Sequence, residues 1–458
     1  MRGVLGWGGY LPHRRLDLTT IAPISGTGGG KGSRTVAGPD EDSTTMAVEA
    51  ARLALVDAAV RPRSLWFATT QPPYLDKTNA TAVHAALRLD RDVGAYDAIG
   101  SVRSAMGALR AAFEGTSPAL VVAADLRTGL PGSPDEAEGG DGAAAVLIGS
   151  ADDGPVLAEL LAWTTVTEEF LDRWRTPGAP ATSRWEERFG ATRYGALGTE
   201  AVKLALGEAG LDASDVRYFV AAGPHRRAAT AVAKSCGLRL ANEWNAETGA
   251  AQPALLLASA LERAEPGQVI VLASLADGAD VAVFRTTPAL PGYAVARPLA
   301  GQLAGGAPVS YGKFLSWRGM LPVEPPRRPE PARPSAPAAW RNRDWKFGFV
   351  GSTGDLVHLP PSPLDGVPTP MASARGTIVT FTVDRLAYSP SPPVIFAVID
   401  FDGGGRLPME LTDVDVDEVR IGGRVELTFR KLFTGEGVHN YFWKAKPVRD
   451  TTTTGGRT

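Results

Sequence analysis

The chain has 458 residues, more than one ordinary domain carries, so two or three folding units are expected. Apolar residues at 44% and charged residues at 21% suit globular packing and argue against a disordered chain. With 47 Lys and Arg against 50 Asp and Glu, a net charge of −3, electrostatics give no case for nucleic acid or an anionic membrane as the main partner.

The opening stretch 1–16 lacks the apolar core of a signal peptide, and no apolar run is long enough to span a bilayer. One cysteine, Cys236, excludes an intramolecular disulfide and fits a cytoplasmic protein. Residues 22–40 read as a Gly-rich loop. Its GTGGGKGS segment (26–33) imitates a phosphate loop, but Gly32 stands where Ser or Thr should follow Lys31, and Ser25 where the first Gly belongs.

Residues 46–70 read as an amphipathic helix, a Pro-marked turn and a buried strand, and 198–223 repeat that order. Residues 104–126 are a helix and a buried strand, answered by 250–275. Each of these is followed by a strand opening on Asp-Gly, at 141–148 and 277–284. Such duplication implies two α/β halves about a pseudo-twofold axis. Residues 322–339 are so rich in Pro that neither helix nor inner strand is expected there; they read as an extended linker. Beyond it, 376–387, 392–403, 424–433 and 440–448 are β-branched and aromatic, predicting a small antiparallel barrel of OB type. The division is thus 1–321, linker 322–339, barrel 340–450, and a tail 451–458 expected to be disordered.

The large domain resembles the thiolase superfamily, in the branch of hydroxymethylglutaryl-CoA synthase and 3-oxoacyl-ACP synthase III. The resemblance rests on GVLGWGGYLPHRRL (3–16), DEDSTTMAVEAA (40–51), PPYLDKTNA (72–80), PHRR around His225, and ETGAAQPALLLA (247–258). The small domain resembles the OB-fold domain that accompanies acyl-CoA enzymes, through 375–394, DFDGGGR (400–406) and YFWKAKP (441–447). The implied fold is α/β: a two-halved, five-layered thiolase fold followed by a small all-β OB-fold domain. The implied partners are an acyl-CoA or an acyl carrier protein, and a second copy in a homodimer.

Enzymes of this branch use a Cys nucleophile at a helix N-terminus, a His, and an Asn or similar residue. The helix end lowers the thiol pKa, while His and amide hold the thioester oxygen and manage the proton. By this resemblance Val102 stands at the cysteine position, and valine cannot attack a carbonyl. Cys236, at the expected end of the helix after His225, reads as a structural thiol. Ser101 and Ser104 flank the gap, either as nucleophile candidates or as helix caps. His225 is retained at a strand's C-terminal end, where α/β proteins place chemistry. Glu247 takes the Asn position, as a base or as a cap of the helix near Thr248. Thr70 falls near the synthase's general acid and has no titratable proton. Lys77, Arg226, Thr248 and Gly249 are substrate-binding candidates; Lys77 and Arg226, with Lys31, are either CoA-phosphate contacts or solvated charge. Relatives of the small domain often carry a zinc ribbon. Residues 348–365 contain no cysteine, and His358 alone cannot hold zinc, so no metal or cofactor is expected beyond the coenzyme A thioester substrate.

Two functions follow. The preferred one is an acyltransferase or aldolase that makes or breaks a C–C bond beside a thioester carbonyl without a cysteine acyl-enzyme, with His225 and Glu247 as base candidates. The rival is a catalytically silent thioester-binding or scaffold subunit that partners an active thiolase-like protein.

Overall fold

The computed structural model describes residues 1–244, 246–324, 327–353, 357–361 and 366–449. The expectations for 451–458, and for 354–356 and 362–365 within the stretch 348–365, therefore fall outside the described residues.

The first half of the large domain holds β1 (Arg2–Tyr10), α1 (Ser43–Leu55), β2 (Ser64–Thr69), β3 (Gly94–Ile99), α2 (Ser104–Glu114), β4 (Ala119–Asp125) and β5 (Gly142–Ser150). The second holds β6 (Ala158–Val166), α3 (Glu187–Ala209), β7 (Val216–Ala222), α4 (Arg226–Ser235), α5 (Gln252–Arg263), β8 (Val269–Leu275) and β9 (Ala279–Thr286). Hydrogen bonding joins these strands in the order β7-β8-β9-β6-β1-β5-β4-β2-β3. The pairs β7-β8, β4-β2 and β2-β3 are parallel and the rest antiparallel. Within the sheet the halves join at β1 and β6, through Gly3 with Glu159 and Val4 with Ala158.

The repeated segments occupy equivalent places: α1-β2 answers α3-β7, α2-β4 answers α5-β8, and β5 answers β9. Helices α2 and α5 share one core with both halves (Met106, Leu255, Val121, Ile270), so they form the middle of five layers. Every residue from Gln252 to Leu261 is buried, as a helix between two sheets requires. Helix α1 covers one outer face and α3 with α4 the other.

A closed barrel follows, from β10 (Arg375–Asp384), β11 (Val394–Phe401), β12 (Arg406–Leu411), β13 (Arg424–Gly435) and β14 (Val438–Pro447), in the order β10-β11-β12-β14-β13. It packs on α1: Met46 and Ala50 share a core with Phe429 and Trp443, and the Arg52 guanidinium lies 4.8 Å from the Trp443 ring.

Two expectations need correction. The stretch 22–40 is not wholly loop: Ala22–Ser25 form one helical turn and Ser33–Val36 a strand paired with Arg14–Asp17. The linker ends in a helix, Ala336–Arg341, with Pro337 in its first turn. There the ring costs no hydrogen bond, because first-turn N–H groups have no intrahelical partner.

Candidate active site

Parallel strands of both halves end at one cavity of about 790 Å³. Thr70 follows β2, Ser101 and Val102 follow β3, Leu126 and Arg127 follow β4, Pro224 follows β7 and Asp277 follows β8; all line it. The C-terminal edge of an α/β sheet is the usual place for a ligand. Lys431 from the barrel also lines it.

Val102 lies in the turn leading into α2. The helix end offers partial positive charge there, but the side chain offers no reacting group. Ser101 Oγ donates to Asp277 Oδ2 (2.9 Å) and accepts from the Arg103 backbone N–H (3.1 Å), so it acts as a cap and also sits beside a carboxylate. Ser104 Oγ donates to the Ile99 carbonyl at 3.4 Å.

Glu247 is on the cavity wall. Its Oε2 accepts from Arg127 Nε (2.6 Å) and its Oε1 from the Gly249 N–H (2.9 Å), with both charged side chains 14% exposed. It thus faces the cavity and also caps the turn leading into α5. Burial alone lowers the Arg127 pKa, but Glu247 and Asp125 outweigh it, leaving the guanidinium more basic than usual. Behind this pair, Asp125 is fully buried. It accepts from Thr69 Oγ1 (2.8 Å), Thr70 N (2.7 Å), Thr70 Oγ1 (3.0 Å) and Ala250 N (2.7 Å). Burial raises its pKa, and Arg127 opposes that rise.

His225 stands just before α4 with its side chain 2% exposed, outside the cavity lining. Its Nε2 lies 2.7 Å from Asp172 Oδ2, and its ring is 5.3 Å from that of Tyr194, which does line the cavity. Thr248 and Gly249 are buried beside Glu247 rather than on the wall. Thr248 Oγ1 has no hydrogen-bond partner among the described residues.

Lys77 and Arg226 are exposed and do not line the cavity. Lys77 Nζ donates to the Thr78 carbonyl (3.1 Å) and Thr81 Oγ1 (2.9 Å), and Arg226 opens α4 on its solvent side. Cys236 ends α4, its Sγ 3.9 Å from the Thr199 carbonyl, and burial raises its pKa. Among the described residues no group of three His, Cys, Asp or Glu side chains is placed to hold a metal, and His358 is exposed. Nor, among the described residues, is any helix long and apolar enough to cross a membrane.

Sequence reasoning missed Asp125, Arg127, Asp172, Arg175 and Asp277. Asp125 ends β4 as His225 follows β7, so the strand-end rule applied to every strand would have found it.

Residues 370–430 match the family described as the ChsH2 C-terminal OB-fold domain. Among solved structures, an HMG-CoA synthase complexed with CoA superposes with a TM-score of 0.60 at 15% identity, over 73% of this chain and 94% of that one. The 3-oxoacyl-(acyl carrier protein) synthase III of Pseudomonas aeruginosa gives 0.53 at 25% identity, over 63% and 98%. Hydroxymethylglutaryl-CoA synthase of Aeropyrum pernix is 31% identical over 345 residues, 70% of this chain and 95% of that protein. The sequence likeness covers 70% of this chain and the shared fold 73%, and the chain belongs to the hydroxymethylglutaryl-CoA synthase family.

Proposed function

We propose that the protein binds acyl thioesters of coenzyme A or of an acyl carrier protein, and makes or breaks a C–C bond beside the thioester carbonyl without an acyl-cysteine. The carrying observation is Val102 on the cavity wall before α2, with the chain's one cysteine at the far end of α4. The CoA in one structural neighbour and the carrier protein named in the other support the thioester half of the reading.

Aldol chemistry suits such a site because it needs a base and an oxyanion partner but no covalent intermediate. In the cleaving direction, Glu247 takes the proton of a 3-hydroxyl and the C2–C3 bond breaks. The electron pair moves into the thioester as an enolate beside Arg127, and a carbonyl compound leaves. C2 of the enolate then takes the proton back from Glu247. His225 enters only if Asp172 releases its Nε2. No metal or other cofactor takes part; coenzyme A belongs to the substrate. The exposed Tyr96 and Ile99 on β3, the edge strand of the sheet, favour a homodimer formed by pairing two such edges.

The test is turnover of a 3-hydroxyacyl-CoA panel, read as a shortened thioester plus a carbonyl fragment. Glu247→Gln is expected to slow it by about two orders of magnitude or more. A second reading, a silent subunit beside an active thiolase-like partner, draws on the engagement of His225 by Asp172 and on Thr70 at the acid position. Binding of the whole panel with neither cleavage nor condensation would establish it instead.

A further inference from the structure

A second cavity, of about 240 Å³, lies at the seam between the large domain and the barrel. The turn after β1, the helix Leu299–Ala304, the start of β13 and the end of β14 wall it, and it shares no lining residue with the thioester cavity. Four cationic side chains line it, Arg15, Arg297, Lys446 and Arg449, against two carboxylates, Asp413 and Glu426. Both acids are already engaged. Asp413 accepts from Arg430 at 3.0 Å, while Glu426 pairs with Arg297 and lies 3.8 Å from Lys446 Nζ.

Arg15 and Arg449 are left over. Half-buried Arg15 donates to the carbonyls of Pro12, Arg14 and Gln302, and Arg449, exposed at the mouth, donates to the Asp413 carbonyl. Among the described residues neither has a carboxylate within ion-pair distance. Carbonyls satisfy N–H groups without cancelling charge, so two positive charges stand unbalanced beside a partly desolvated space. His13 lines the same space, half-buried, and neither of its ring nitrogens has a hydrogen-bond partner among the described residues. Burial lowers its pKa to about 4; Asp413 opposes that fall, and Arg449, Arg14 and Arg15 add to it. Asp415, held by Arg14 at 3.0 Å, is the other acid that faces it.

Volume narrows the ligand class. Pockets for drug-sized molecules and organic cofactors run from about 300 to 1,000 Å³, and one water takes about 30 Å³. This cavity is too small for a whole CoA thioester but holds a four-oxygen ion with a few waters. Such an ion offers acceptors in every direction to guanidinium forks and, carrying two charges, balances two arginines at once. We propose that this cavity binds a tetrahedral oxyanion, either free phosphate or sulfate or the phosphate end of a small ester, received by Arg15, Arg449 and His13. The ion joins the turn after β1 to the end of the barrel, so its binding also fastens the seam.

The test is calorimetric titration of the full chain with sulfate, phosphate and glycerol 3-phosphate, at constant ionic strength in chloride. Arg449→Gln is the variant of choice, because it removes one bond to a carbonyl at the mouth, whereas Arg15 ties its turn to the helix Leu299–Ala304. Wild type should bind one sulfate or phosphate per chain, and Arg449→Gln should weaken that binding about ten-fold or more. In saturating sulfate the His13 imidazole, identified by its absence from the spectrum of His13→Gln, should titrate about one pH unit higher or more, because a neighbouring dianion favours imidazolium. Glycerol 3-phosphate separates the sources: an affinity equal to that of phosphate marks an ester site, and one weaker by about ten-fold marks a free-ion site, each upholding the proposal. No oxyanion binding above the chloride background overturns it. So does sulfate binding that Arg449→Gln leaves within about two-fold, which would put the ion elsewhere on the chain, and so does a His13 titration that saturating sulfate does not move.

Discussion

Gly249 shows how tightly one atom is placed in this cavity. Its φ of +58° lies in the left-handed region, and a Cβ would stand 2.0 Å from Asp125 Oδ2. That oxygen accepts the Thr70 hydroxyl and the Ala250 N–H, so it cannot retreat without releasing β2 or the turn into α5. Gly249→Ala should therefore destabilise the protein by about 2–4 kcal/mol, from left-handed strain and disrupted buried hydrogen bonds. Urea denaturation measures it, and an unchanged midpoint would contradict the packing described. Some of the site was legible at this scale: Thr70, Ser101, Val102 and Glu247 all reach the wall. Arg127 was not, because its meaning lies in Glu247, 120 residues away.

Between elements, the contact of the barrel with α1 buries charge as well as apolar surface. Arg430, fully buried on β13, donates from Nη2 to Asp413 Oδ2 (3.0 Å) and to Tyr10 Oη (3.0 Å), and lies 3.2 Å from Glu41 Oε1. Glu49 on α1 accepts from the Phe429 N–H and from Lys446 Nζ, each at 3.2 Å. Burial pushes the Glu41 carboxyl up to about 7, with Arg430 opposing and Asp413 and Asp40 adding to the rise. An acid whose folded pKa is raised holds its proton longer in the native state. Glu41 therefore takes stability away as pH rises from about 4.5 to about 7. Glu49 works in the opposite sense: burial would raise it, but Lys446 and Arg52 outweigh burial and hold it well below the usual carboxylate range, so its contribution is lost in acid. Stability measured by denaturant from pH 4.5 to 8 should fall in wild type over the Glu41 window and fall less in Glu41→Gln. Identical profiles would contradict the assignment.

Four barrel strands were legible from alternating β-branched and aromatic residues. The fifth, Arg406–Leu411, was not, because Pro408 demotes RLPMEL as an inner strand. The ion pairs across the contact were hidden for a different reason. Charged residues in a sequence read as surface until their partners are known.

In the whole molecule, the duplication seen in sequence becomes geometry. The two halves place α2 and α5 back to back, and both helices begin near the same cavity, one behind Val102 and the other behind Glu247. This much could be read, because matched helix–strand orders survive as hydrophobic periodicity. The link between barrel and cavity could not, since Lys431 reaches the wall only through the packing of β13 on the first half.

The central claim, catalysis without an acyl-enzyme, comes down to what stands at the start of α2. Ser101 is the sharpest challenge to it, since its hydroxyl donates to Asp277 as a base-activated nucleophile would. The decisive measurement is the intact mass of the protein after incubation with acetyl-CoA and longer acyl-CoAs, followed by peptide mapping. The account predicts an unmodified chain with Ser101, Ser104 and Cys236 free. A mass increase of one acyl group localised to Ser101 or Ser104 would contradict it and make the protein a serine-nucleophile acyltransferase.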